Sequence, residues 1–158
     1  MADSAETLRT QYPLPAYNFQ VEIDGETIGF SEVSGLSRSM ESITYAESTT
    51  APGKVGPNYF RMPGAGGEIN ITLTKGYVRQ KSIKVFYDWI SSAKGGVIDK
   101  KDITVRLCDE NGDAVVSWIV LNAFPTSLSA PDFSATSTDV AIESMELVAD
   151  SLSMEEAT

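Results

Sequence analysis

Apolar residues recur at every second position over much of this chain, beginning with Tyr17, Phe19, Val21 and Ile23 on one face of a half-buried strand. Asp24-Gly25 supplies a turn, and residues 27–33 resume an extended pattern with Ile28 and Phe30, so the two segments predict a hairpin. Ser34-Gly35 breaks it, and residues 36–46 continue as a strand of imperfect alternation carrying Met40, Ile43 and Tyr45. The cleanest alternation is Ile69, Ile71 and Leu73 against Glu68, Asn70, Thr72 and Thr74, closed by Gly76. A second hairpin is predicted where Ile103, Val105 and Leu107 lead through the turn at 109–113 into residues 114–122. After Phe124-Pro125 comes a Ser-rich crossover containing Pro131. Residues 139–149 then predict a last strand, whose Val140, Ile142, Met145, Leu147 and Val148 change face midway as at a bulge.

One segment has a different period. Ile83, Phe86, Tyr87 and Ile90 fall at i, i+3, i+4 and i+7, which predicts an amphipathic helix over 82–94 with Lys94 in its last turn and Gly95-Gly96 as its stop. Residues 47–67 follow neither period. They hold four glycine-rich or proline-rich interruptions around Tyr59, Phe60 and Met62, and the stretch is too long for an ordinary loop. Its few apolar side chains do not offset the entropy of ordering it, so either it pairs as a long hairpin or a neighbouring subunit completes its burial.

These elements predict a mainly β (α+β) fold: an antiparallel sandwich or open barrel with one amphipathic helix and a long extended hairpin. Residues 1–16 read as an extended arm, 17–152 as a single domain containing the 47–67 hairpin or loop, and 153–158 as a frayed acidic tail. The length of 158 residues suits one core. Cys108 sits in an alternating apolar run with no second cysteine in the chain, as expected of a buried, reduced thiol.

Composition narrows the chemistry. The N-terminus shows neither the basic nor the apolar region of a secretory leader, and no apolar run approaches the ~20 residues of a membrane span, so cytoplasmic synthesis is expected. The net charge is −10, and from Leu107 onward there are ten acidic residues and no Lys or Arg. Phosphate-backbone binding needs clustered cations, so nucleic-acid recognition of that kind is disfavoured, whereas a smooth acidic surface that repels DNA is compatible with the charge.

The absence of histidine removes the commonest general base and metal ligand, and with them Ser-His-Asp, Cys-His and His-based zinc sites. What remains is weak. Ser91-Ser92-Ala93-Lys94 fits S-x-x-K, but its companion motifs are missing and Lys94 suits a helix end. Asp109, Asn111 and Asp113 resemble a calcium loop with glycine at the wrong position and Val120 where the bidentate Glu belongs. Gly64-Ala65-Gly66-Gly67 precedes a strand instead of opening a helix, as a phosphate cradle would. Asn70-Ile71-Thr72 is a glycosylation sequon inside a strand. Trp89 and Trp118 lie where packing explains them. No catalytic, cofactor-binding or metal residue is predicted, and the chain reads as a non-enzyme.

Five segments then point one way: YNFQVEIDGETIGFSEVSGL at 17–36, PGAGGEINITLTKG at 63–76, FYDWI at 86–90, WIVLNAFPTSL at 118–128 and DVAIESMELVAD at 139–150. In this order and spacing they resemble the tail-tube family of contractile phages and phage-tail-like injection systems, over about residues 12–152. The resemblance implies a structural subunit that forms hexameric rings stacked into a tube around a lumen for cargo effectors or DNA. It implies contractile sheath, baseplate and cap or terminator proteins as partners, and a place in an assembled particle that leaves the cell on lysis.

In such a family the long hairpin reaches a neighbouring ring, which places Ile43, Tyr45, Tyr59, Phe60 and Met62 at subunit contacts. The acidic excess would line the lumen. A baseplate-proximal or cap-proximal tube subunit, and a secreted type VI-like hexameric ring carrying effectors, are the alternatives the same resemblance leaves open.

Overall fold

The computed structural model describes residues 4–157. The chain runs α1 (Ala5–Gln11), β1 (Phe19–Ile23), β2 (Glu26–Ile28), β3 (Glu32–Ser34), β4 (Met40–Glu47), β5 (Asn58–Gly66) and β6 (Ile69–Gly76). A π-helical turn (Ile83–Tyr87) flows into α2 (Asp88–Ser91), followed by β7 (Lys101–Cys108), β8 (Ala114–Ser129), β9 (Ile142–Ala149) and β10 (Ser151–Glu156). Eight strands form one antiparallel sheet in the order β2-β1-β7-β8-β9-β6-β3, with β10 also on β8, while β4 and β5 pair only with each other.

The large sheet folds over because β8 changes partners along its length. Val116–Leu121 pair with β10 and overlap the β7 pairing, whereas Phe124–Ser129 pair with β9. Asn122 lies between the two halves with φ 55, a left-handed conformation uncommon outside glycine but tolerated by asparagine. Two layers therefore face each other, giving the expected open sandwich. Val21, Ile103, Val105 and Val120 enter the core from one layer, and Ile71, Leu73, Met145 and Leu147 from the other. Cys108 is 1% exposed and so buried as a thiol.

Four expectations change. The arm contains a helix, α1, because the Ser4 side chain accepts a hydrogen bond from the Thr7 N–H at 3.2 Å and caps its N-terminus. The single strand expected over 27–33 is two strands on different partners, β2 on β1 and β3 on β6, with the chain crossing between layers at Phe30. The tail is not frayed as far as Glu156, since β10 pairs residue by residue with β8 through Glu156↔Val116. The bulge belongs to β8, between Pro125 and Ser127, and β9 alternates without interruption through buried Met145, Leu147 and Ala149.

The helix differs in phase. Phe86 and Trp89 are buried, but Ile83 and Tyr87 are 45% and 58% exposed. The buried positions 82, 86 and 89 are themselves spaced i, i+4 and i+7, so the inward face is a helical stripe rotated away from the one that Ile83 and Tyr87 define. Ser82, Phe86 and Trp89 form that face instead. The Trp89 indole N–H donates to the Asp99 carbonyl at 2.6 Å, satisfying the polar atom that burial would strand.

Gly35 ends β3 with φ +84, and a Cβ there would collide with the Asn70 carbonyl oxygen and crowd Ile71 Cα. The contact is backbone on backbone in the core strand β6, so no side chain can yield. Gly35→Ala is expected to cost on the order of 3 kcal/mol or more, from left-handed strain plus the clash, read as a fall in the denaturant midpoint. A midpoint equal to wild type would disprove the assignment.

Candidate functional site: an apolar hairpin face

The hairpin of β4 and β5 is built from residues that alternate but have no layer of their own to cover. Register places Ile43 opposite Met62 and Tyr45 opposite Phe60, while Thr44 faces Arg61 and Ala46 faces Tyr59. Directly paired residues share a face, so Ile43, Tyr45, Phe60 and Met62 form one continuous apolar quartet. Tyr59 lies on the opposite face with Arg61. The Tyr45 and Phe60 rings stack, centroids 6.3 Å apart and inclined by 27°.

Each of the four is about half exposed, and Tyr59 is 65% exposed. Gly64 permits the quartet to close, because a Cβ there would press on the Ile43 side chain at 2.9 Å. The tip, residues 48–57, ends in a cis Gly56–Pro57 peptide and carries Val55 fully exposed. The hairpin thus begins at Met40, earlier than the 47–67 segment expected to hold it.

A second apolar surface was not legible. Tyr77, Ile83, Tyr87, Leu128, Pro131 and Phe133 line a cavity of about 590 Å³ between the helix and the crossover. Glu143, 8% exposed, also lines it, and its Oε1 accepts no hydrogen bond among the described residues, at a cost of roughly 1–3 kcal/mol in the isolated subunit. Its cross-strand neighbour Lys75 is buried too and donates from Nζ to Ser82 Oγ at 3.2 Å. Ile83 and Tyr87 could have signalled this surface, but helical spacing assigned both to the core.

The weak chemical motifs have structural roles. Asp109 Oδ1 accepts from the Asn111 and Asp113 N–H groups at 2.9 and 3.0 Å, tying the β7–β8 turn. Ser92 Oγ donates to the Trp89 carbonyl, and Lys94 exchanges backbone hydrogen bonds with Val97. Gly64 and Gly66 lie in β5, and Asn70-Ile71-Thr72 lies in β6. Among the described residues no group of three or more side chains could hold a metal ion, and no helix is long and apolar enough to cross a membrane.

Comparison with known proteins agrees with this geometry. The family model described as T4-like virus tail tube protein gp19 matches residues 15–153. A chain of the extended sheath-tube complex of an extracellular contractile injection system, PVC, superposes with a TM-score of 0.89 at 38% identity, covering 99% of this chain and 100% of that one. A chain of the tube terminating cap of the anti-feeding prophage gives 0.85 at 39% identity, again covering 99% and 100%. Hcp1 from Flavobacterium johnsoniae shares the fold at 14% identity, with a TM-score of 0.52 over 88% of this chain and 95% of that one. No curated protein sequence matches.

Proposed function

Since the chain belongs to the T4-like virus tail tube protein family, we propose that it is a structural subunit of the inner tube of a contractile injection system, assembling as hexameric rings stacked around a lumen. The observation that supports the stacking is the β4–β5 hairpin, whose apolar quartet stays about half exposed and which, among the described residues, pairs with no other strand. A neighbouring copy covers it, through Ile43, Tyr45, Phe60 and Met62 on one face and Tyr59 on the other. Sheath, baseplate and cap proteins are the further partners, in an assembled particle found outside the cell. The lumen passes cargo or DNA along a wall to which the excess of 22 acidic over 12 basic residues gives negative charge.

Negative-stain microscopy of the purified protein tests the reading. Rings or tubes of constant width are expected, and persistent monomers at high concentration would overturn it. A second reading, a cap-proximal ring, is favoured by the 39% identity to a chain of the anti-feeding prophage cap. Counting copies per particle separates the two, with many rings for a main tube and one or two for a cap-proximal subunit.

A further inference from the structure

Several of this subunit's cations gather in one cleft, far along the sheet from its acidic C-terminal strand. At one end of the sandwich the β1–β2 turn, the start of the helix and the end of β6 enclose a cleft of about 800 Å³. Arg79, Lys81, Lys84 and Lys101 line it, with buried Lys75 at its wall. These are five of only twelve cations in the chain, and they face two carboxylates, Asp24 and Glu26. Lys101 is held over the Trp89 ring at 5.0 Å, while Arg79, Lys81 and Lys84 are exposed and make no ion pair within the described residues.

The register of β7 fixes where the opposite charge lies. Lys101 begins the strand at the cleft, and Cys108 ends it seven residues on, about 23 Å away at ~3.3 Å per step. At that far end the β7–β8 turn carries Asp109, Glu110 and Asp113, and β10 terminates in Glu155 and Glu156, paired to Ser117 and Val116. Asp109 is occupied in tying its turn, whereas Glu155 and Glu156 stand exposed at the edge.

Two copies of a chain with net charge −10 repel unless opposite patches meet. A basic end and an acidic end on one rigid sheet can meet only head to tail, which is the heterologous contact that generates rings and filaments. We infer that the cleft lined by Arg79, Lys81 and Lys84 receives the acidic end, Glu155 and Glu156, of a second copy of this chain. This rests on the tube reading and adds to it the residues that set the polarity of assembly. The apolar hairpin supplies adhesion, and the charged ends exclude head-to-head docking.

The test uses the full chain in three forms, with circular dichroism confirming the fold of each: wild type, Lys81→Glu with Lys84→Glu, and Glu155→Lys with Glu156→Lys. Sedimentation and negative stain are read at low and high salt. Wild type is expected to assemble, with a critical concentration that rises with salt as screening shortens the reach of the charges. Each double variant alone is expected to need at least tenfold more protein. An equimolar mixture of the two is expected to return to within about threefold of wild type, because each restores the complement the other lacks. Variants that assemble like wild type, or a mixture no better than its parts, would overturn the contact. Wild type that never assembles would instead overturn the tube reading itself.

Discussion

Tyr45→Ser combined with Phe60→Ser should leave a folded subunit that no longer forms tubes at the concentrations where wild type does. The two rings are 51% and 49% exposed in the isolated chain and stack on each other, so covering them removes about half of each from water at the contact. Full burial of such a side chain is worth roughly 1.5–3 kcal/mol, so losing half of two amounts to roughly 1.5–3 kcal/mol per subunit, or about 10- to 150-fold in the association constant. The subunit core is untouched, because β4 and β5 form a separate two-stranded sheet. The thermal midpoint of the dilute monomer should therefore match wild type while the critical concentration climbs. Tubes at the wild-type concentration would remove this face from the assembly.

Tyr59→Ser is the internal comparison. Tyr59 lies on the opposite face of the hairpin, beside Arg61 and across from Ala46, so its loss is expected to leave the quartet's contact intact. The register that separates Tyr59 from Phe60 was not readable before the partner strand was known. Alternation along 58–62 alone puts Tyr59 and Phe60 on opposite faces, but which of them joins Ile43 and Tyr45 depends on the pairing register, which the length of the 48–57 tip sets.

Where one face of a strand is buried and the other is not, the fold was legible. Ile69, Ile71 and Leu73 alternate because β6 lies inside the sheet with the core on one side, and Ile103 and Val105 of β7 follow the same rule. Legibility failed where hydrogen bonding was not accompanied by apolar burial. β10 reads Ser-Leu-Ser-Met-Glu-Glu, of which Leu152 alone is buried, so its pairing to β8 left almost no hydrophobic signature. It also failed where a strand changes partners: β2 and β3 continue one pattern in the sequence but belong to different layers. The charge asymmetry was visible as an acid-rich second half, yet only topology brings residues 24, 79–84 and 101 together at one end.

The phase of the helix offers a decisive stability measurement, since sequence and structure assign two adjacent residues opposite weights. By periodicity Phe86 and Tyr87 both belong to the core stripe. In the structure Phe86 is fully buried, 5.9 Å from the Phe30 ring and with Lys75 Nζ 5.9 Å from its own centroid, whereas Tyr87 is 58% exposed. Phe86→Ala should cost about 3–5 kcal/mol through lost transfer energy and the cavity left where β6, the crossing at Phe30 and the helix meet. That is a large share of the roughly 5–15 kcal/mol of a typical domain and lowers the midpoint by roughly 6–20 °C at this chain length. Tyr87→Ala should change stability by no more than about 0.5–1 kcal/mol, as at a surface position. Measured on dilute monomer by thermal and urea unfolding, equal losses for the two variants would restore the stripe read from periodicity and refute the rotated face. If Tyr87→Ala instead weakens assembly at unchanged stability, the cavity it lines is a contact surface, and the rotation of the helix that keeps Tyr87 out of the core is what presents it to a neighbour.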